Sequence, residues 1–272
     1  MPRRRSRLDL LLVERGYFSC RTKAQRAILA GQVLVDDQRI DKAGQRVCDD
    51  ASLQIVSPGR TWVSRGGEKL VGAHAAFGFS AQGRTCLDSG SSTGGFTQVL
   101  LELGASLVYA VDVGYGQLAW ELRQDRRVIV LERTNLRHLT LDALHRGRPD
   151  LAVLDLSFIS LTKVIPTLAE LMAPCAELVA LVKPQFEAGR GLVGKGGVVK
   201  DSEIHAQVVC TVSDHAAERG FQTIGVVPSP LRGPHGNREF FLHLVRDGHS
   251  QPTVDRDDII RIIGCERDEG RP

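Results

Sequence analysis

Leu87-Asp88-Ser89-Gly90-Ser91-Ser92-Thr93-Gly94-Gly95-Phe96 reads as the end of a strand, a tight loop and the start of a helix. Apolar residues from Thr85 to Leu87 end in an acid, small residues follow, and a helical pattern then runs from Phe96 to Leu103. Glycine allows close backbone approach to a ligand, and a helix N-terminus offers unpaired N–H groups. The next strand-like run, Leu107 to Val111, ends at Asp112. A carboxylate there can accept hydrogen bonds from ribose hydroxyls. These features predict a pocket for a nucleoside-containing cofactor. A dinucleotide is disfavoured, because Ser92 stands where the phosphate-binding fingerprint needs its second glycine.

The pattern alternates strand and helix from Gly66 onward. Strands are expected over 85–88, 107–112, 127–131, 151–155, 177–183, 222–227 and 240–245. Amphipathic stretches lie at 67–77, 95–103, 117–122, 161–171 and 202–218. Apolar strands separated by helices predict a largely parallel sheet covered on both faces, with ligands at the C-terminal strand ends. Polar residues at those ends therefore carry information. Asp155 follows Leu151–Leu154, and Lys183 follows Leu178–Val182. Glu239 precedes the last strand, and Lys69 lies on the helix before the sheet. A lysine directly after five apolar residues is costly without a partner or a task.

The first 60 residues differ in character. Residues 1–70 carry a balance of +6, against −3 for the rest of the 272-residue chain. Leu8, Leu11 and Leu12 form a helical stripe after a possible Ser6 cap. Ser19 is placed to cap a second helix from about Thr22 to Ala30, stopped by Gly31, with Arg21, Lys23 and Arg26 on its exposed face. Short strands are expected at Val33–Val35, Arg39-Ile40 and Leu53–Val56, with a turn at Asp36-Asp37. A basic helix beside a small sheet suits a polyanion, and Arg4, Arg7, Arg21, Lys23, Arg26 and Arg65 are the candidate RNA contacts. Ser57-Pro58-Gly59-Arg60 punctuates the chain. The expected division is an RNA-binding domain over 1–59, a linker over 60–64 carrying Trp62, and a second domain over 65–272.

Other classes are disfavoured. The six cysteines form no C-x-x-C pair, so no metal site is expected and free thiols suit a reducing compartment. The apolar stretch behind Arg3-Arg4-Arg5 is short and carries Asp9 and Glu14, unlike a signal peptide. No run has the length of a membrane span. Gly189–Gly196 imitates a phosphate-binding loop but lacks its Ser or Thr, and Arg190, Lys195 and Lys200 there suit RNA phosphate or plain solvation.

The loop Asp88-x-Gly90-x-x-x-Gly94-Gly95-Phe96 resembles the S-adenosylmethionine motif of FtsJ-type RNA ribose methyltransferases. Arg7-Leu8-Asp9, Leu12, Ser19, Arg21, Ala24, Ile28, Gly31, Val33, Val35 and Asp36 resemble the S-four-type RNA-binding domain. The strings around Lys69, Asp155, Lys183 and Glu239 are similar to those of the TlyA family. That resemblance implies an α/β fold with a Rossmann-like class I methyltransferase sheet and a small N-terminal α+β RNA-binding domain. It implies S-adenosyl-L-methionine as cofactor and cytidine 2′-hydroxyls of ribosomal RNA within ribosomal subunits as substrate. A cytoplasmic location follows, with no membrane role and no stable protein partner. Lys69, Asp155, Lys183 and Glu239 match the catalytic tetrad in order. On this reading Lys183 takes the hydroxyl proton, Asp155 orients Lys183 and the methyl donor, and Glu239 orients Lys69 and the ribose. Free lysine titrates near 10.4, so the site must lower Lys183 by burial or by a neighbouring cation. Asp88, Gly90, Ser92 and Gly94 would line the cofactor loop, Asp112 would hold its ribose, and Asn135 would lie near adenine. The Arg-rich start and the tail through Ile260 and Ile263 resemble a longer subgroup that modifies both subunits. The rivals are a lytic protein, which needs a long apolar or amphipathic segment, a non-catalytic assembly factor, which needs no tetrad, and a nucleotide-dependent oxidoreductase.

Overall fold

The computed structural model describes residues 5–29, 32–36, 38–55, 62–194, 196–248 and 253–265. The chain divides into two compact units, Met1–Thr61 and Trp62–Pro272.

The first unit runs β1 (Arg5–Arg7), α1 (Leu8–Glu14), α2 (Arg21–Leu29), β2 (Val33–Val35), β3 (Gln38–Arg39), β4 (Arg46–Cys48) and β5 (Leu53–Ile55). β1 pairs antiparallel with β4, and a three-stranded sheet has the order β3-β2-β5. Leu8, Leu11 and Leu12 pack with Ala24 and Ile28 of α2 and with Val33 and Leu53 of the sheet. Ser6 does not cap α1. It is committed to β1 opposite Val47, and Arg7 precedes the helix with no side-chain cap. The first helical amides go elsewhere: Leu8 N–H donates to Gln45 O at 2.9 Å and Asp9 N–H to Ala43 O at 3.2 Å. The expected helix stop at Gly31 and the punctuation at 57–60 lie outside the described residues.

Asp9 organises this unit. Its side chain is fully buried. Arg7 donates to both carboxylate oxygens at 3.0 Å, Arg21 to Oδ2 at 2.9 Å and Gln25 to Oδ2 at 2.8 Å. The Arg7 hydrogen bonds hold the Asp9 carboxyl well below the usual carboxylate range, against burial. A buried charge without such partners would be prohibitive.

The second unit contains α3 (Gly66–Phe77), β6 (Thr85–Ser89), α4 (Gly95–Glu102), β7 (Leu107–Val111), α5 (Trp120–Arg123), β8 (Val128–Leu131), β9 (Leu151–Leu154), α6 (Ile165–Leu171), β10 (Ala176–Val182), α7 (Pro184–Glu187), α8 (Ser202–Ala217), β11 (Gln222–Pro228), β12 (Phe240–Arg246) and α9 (Arg256–Cys265). The sheet order is β11-β12-β10-β9-β6-β7-β8. All pairings are parallel except those of β12, which runs antiparallel to both β10 and β11. Period-two alternation divides the strand side chains between two cores. Leu87, Tyr109, Ala152, Leu154 and Leu178 face α6, α8 and α9. Cys86, Val108, Leu151, Val153 and Val179 face α3 and α4.

Three local expectations change. Residues 62–64, expected as linker, pack onto the second unit: Trp62 lies against Gly67, and Val63 N–H donates to Gln98 Oε1 at 2.9 Å. The helix expected over 117–122 begins only at Trp120, because Ala119 is extended and donates its N–H to Thr93 O at 3.1 Å. The stretch 161–171 is a 3-10 turn, Leu161–Lys163, followed by α6. The C-terminal helix α9 escapes sequence reading because it begins with three charged residues. Ile259 and Ile263, one turn apart, bury its inner face.

Asp9→Asn should loosen the first unit at neutral pH. The depressed carboxyl contributes stability that is present above the unfolded value near 4 and is lost as pH falls toward the folded value. Amide hydrogen exchange over residues 5–55 of the full chain should show faster opening in the variant at pH 7, and the gap should narrow on acidification. A gap that widens in acid would contradict this account.

Candidate active site

Between β6 and β9 the strand order reverses direction, and helices leave on opposite faces. This is where an open α/β sheet forms a crevice at its C-terminal edge. A cleft of about 820 Å³ occupies the position, within the range of small-molecule sites. Gly90, Ser92 and Asp112 line one wall, Asn135 and Leu136 another, and Asp155 with Ser157 the third.

The loop geometry follows from its residues. Gly90 has φ +84°, and a Cβ there would lie 2.5 Å from the Asp155 carbonyl oxygen, so no side chain fits. Ser92 is also left-handed, at φ +48°. Its N–H donates to Asp112 Oδ2 at 2.8 Å, while Gly114 N–H donates to Oδ1 at 2.7 Å. The Ser92 amide is thus aimed at a carboxylate and not at a phosphate. Asp112 is fixed by two amides and keeps acceptor capacity on both oxygens for a ribose diol. Asn135 caps a 3-10 turn, accepting from Arg137 N–H at 3.1 Å. The cradle at Gly90, the anchored acid and the absence of any cation within the loop 89–95 suit a nucleoside cofactor without phosphate.

Two expected loop residues sit behind the cleft. Gly94 has φ +98°, and a Cβ there would strike the Leu118 and Leu122 side chains. Asp88 is completely buried and accepts from Thr97 Oγ1 at 2.6 Å. Its other oxygen has no partner among the described residues. Desolvation pushes the Asp88 carboxyl up to about 7. It ties strand β6 to helix α4 and so sets the loop from below.

Asp155, Lys183 and Glu239 at strand ends and Lys69 on α3 form two ion pairs. Lys183 Nζ lies 2.6 Å from Asp155 Oδ1 and donates to Ser157 Oγ at 2.9 Å. Lys69 Nζ donates to Glu239 Oε2 at 2.5 Å. Sheet register explains the meeting. Val182 is opposite Phe240, so the residue leaving β10 and the residue entering antiparallel β12 stand side by side. Asp155 N–H donates to Ser89 O at 2.9 Å, which sets that acid above β6 and at the cleft wall. Lys183 is only 7% exposed. Two contributors were not assigned from sequence. Ser157 holds Lys183, and Gln185 Nε2 donates to Glu239 Oε1 at 3.4 Å. Both follow strand ends within three residues, which is the signal that could have found them. Phe158, at φ +64°, is 91% exposed beside Phe186, with ring centroids 5.0 Å apart.

The RNA candidates separate in the same way. Lys23 and Arg26 are exposed on α2, and Arg65 is exposed at the start of α3. Arg7 and Arg21 instead commit donors to Asp9, though each keeps a partly exposed guanidinium. Arg4 and Lys195, and the side chain of Arg190, lie outside the described residues.

The sheet order, the cleft and the lysine–carboxylate pairs at its edge define a Rossmann-like methyltransferase. A family model described as FtsJ-like methyltransferase matches residues 62–246, and an S4 domain model matches residues 6–52. The 16S/23S rRNA (cytidine-2′-O)-methyltransferase TlyA of Mycobacterium tuberculosis is 53% identical over 89% of this chain and 90% of its own. The Bacillus subtilis protein YqxC, named as an rRNA methyltransferase, is 46% identical over 97% and 94%. A solved structure from Streptococcus thermophilus that carries a hemolysin name is 42% identical, with a TM-score of 0.74, covering 96% and 95%. The chain belongs to the FtsJ-like methyltransferase family and, within it, to the TlyA proteins, which makes it an S-adenosylmethionine-dependent methyltransferase with an S4 RNA-binding domain.

Asp88→Asn tests the buried acid. Its folded value is raised, so the native state keeps a proton that the unfolded chain releases above about pH 4. Stability of the parent should therefore fall relative to the variant between pH 4 and about 7, by about 3–4 kcal/mol at most. Urea unfolding of both proteins at pH 5 and pH 8 measures this, and parallel curves would refute it.

Proposed function

We propose that the chain methylates cytidine 2′-hydroxyls of ribosomal RNA in both ribosomal subunits, using Lys69, Asp155, Lys183 and Glu239. One observation carries the residue assignment. Asp155 belongs both to the wall of the cofactor cleft and to the ion pair of Lys183, so donor and base share an anchor. The relative at 53% identity carries a 16S/23S name, which supports two subunits as substrates.

S-adenosylmethionine, when bound, supplies an electrophilic methyl group on a sulfonium. Gly90 and Ser92 shape its loop, Asp112 holds its ribose and Asn135 lies at the adenine end. Asp88 and Gly94 support the loop from behind. Lys183 Nζ, as the neutral amine, accepts the proton of the 2′-hydroxyl and becomes ammonium, leaving the oxygen as nucleophile. Asp155 and Ser157 fix the lysine, and Asp155 stabilises the ammonium that forms. Glu239, held by Lys69 and Gln185, orients the ribose. Rate enhancement comes largely from near-attack geometry, which is worth several powers of ten in well-oriented systems. The general base adds roughly 10²–10⁴.

Residues 1–59 bind RNA through Lys23, Arg26 and the exposed parts of Arg7 and Arg21. The methyltransferase domain contributes Arg65. We assign the protein to the cytoplasm, with the ribosomes. Among the described residues no helix is long and apolar enough to cross a membrane.

Lys183→Ala should lower methyl transfer to ribosomal RNA by at least about 10²-fold while S-adenosylmethionine binding by calorimetry is kept. Asp112→Ala should show the opposite order of effects, with cofactor affinity lost first. Transfer retained by Lys183→Ala removes that residue from the role of base. Scoring 30S and 50S substrates separately decides the two-subunit assignment.

A further inference from the structure

The loop after β9 and the turn after β10 meet at the edge of the cleft, and both carry parts of the site. Asp155, Ser157, Phe158 and Ser160 line the cleft from the first, and Phe186 lines it from the second. Besides the ion pair of Lys183 with Asp155, two hydrogen-bonded ties join them. Lys183 Nζ donates to Ser157 Oγ at 2.9 Å. Glu187 accepts from Ser160 Oγ on Oε2 at 2.6 Å and from Leu161 N–H on Oε1 at 2.8 Å. The mechanism uses the first tie and leaves the second without a task.

The spacing on the two segments matches. Lys183 precedes α7 and Glu187 ends it, four residues on, which sets both side chains on one face of a single turn. Phe186 N–H donates to Lys183 O and Ala188 N–H to Pro184 O, each at 2.9 Å, so the turn is closed at both ends. On the facing loop the partners stand three and four residues apart, Ser157 against Ser160 and Leu161. Ser160 caps the 3-10 turn Leu161–Lys163, accepting from Thr162 N–H at 3.2 Å. Glu187 therefore holds that turn by its cap and by its first amide, with both carboxylate oxygens in use. Burial pushes the Glu187 carboxyl up, and these two hydrogen bonds draw it back. Between the two ties the chain passes through Phe158 at φ +64°. A phenylalanine in the left-handed region is strained and stays there only when its surroundings hold it. The ties at Ser157 and at Ser160 hold it from either side. With the Glu187 tie cut, residues 157–160 relax toward ordinary backbone and Ser157 leaves Lys183.

We propose that Glu187 is a positioning residue for methyl transfer: it latches the loop after β9 to the turn after β10 and so keeps Ser157 on Lys183 Nζ. The proposal rests on Lys183 being the base. Glu187 is not part of the cleft wall and acts through Ser157. Asp155 is fixed separately, by its N–H on Ser89 O, so the latch governs the Ser157 contact more than the ion pair.

The experiment measures methylation of unmethylated 30S and 50S subunits by the full chain at saturating S-adenosylmethionine, for S157A, E187A and their double variant. Each single variant should lower kcat by about 10–10²-fold with KM for the subunits kept. Independent sites multiply their losses to within about twofold. Here the double variant should instead match the worse single one, because both changes remove the same contact. E187Q keeps a carbonyl acceptor for Leu161 N–H and an amide able to donate to Ser160 Oγ, so it should recover most of the rate. S160A cuts the latch from the loop side and serves the same cycle with S157A where E187A folds poorly. E170A, exposed on α6, controls for the lost charge and should leave kcat unchanged. Losses that multiply in the double variant overturn the proposal, as does full kcat in E187A or in S157A. Full activity in K183A would instead refute the reading of Lys183 as base on which the proposal stands.

Discussion

One antiparallel strand makes this site possible. In a sheet of parallel strands only C-terminal ends reach the ligand edge, so every side chain there must follow a strand. β12 enters the sheet reversed, between β10 and β11, and delivers its N-terminal neighbour Glu239 to that same edge. The pairing of Val182 with Phe240 then sets Lys183 and Glu239 side by side. A register slip would move every β12 side chain to the other face and expose Phe240 or Phe241, both fully buried. The packing of two apolar cores thus specifies the position of a polar site that belongs to neither.

The site also shows how buried charge is managed. Lys183, Glu239 and Asp9 are all nearly or fully buried, and each has an opposite partner with further polar contacts. Such pairs are weak evidence for stability, since desolvation offsets the attraction. Their use is geometric, because an unpaired charge could not remain where these groups are. In the first unit the same constraint withdraws two basic residues, in part, from the proposed RNA surface. Arg7 and Arg21 neutralise Asp9 and so connect the N-terminal strand, α1 and α2. Asp88 is the contrasting case. Among the described residues it has a hydroxyl partner but no cation, and burial pushes its carboxyl up.

The sequence alone determined the α/β order, the seven main strands, the glycine loop and the charged residues Asp155 and Lys183 at the ends of β9 and β10. Each of these is a local signal: period-two apolar runs, small residues after an acid, and a charged residue terminating an apolar run. Legibility failed where long-range pairing decides local structure. Ser6 looks like a helix cap, but its pairing with Val47 makes it strand. Trp62 looks like part of a linker, but it packs over Gly67. Asp88 and Gly94 read as ligand contacts because they flank the loop, and only the packing of Thr97, Leu118 and Leu122 sends them behind it.

Which lysine pairs with which acid, and how Ser157 and Gln185 hold them, were decided by tertiary structure. These contacts join residues 26 to 170 positions apart. Periodicity reports the face on which a residue lies, because that depends on its neighbours in sequence. Partnership across the sheet edge depends on strand order and register, which arise only when both cores close.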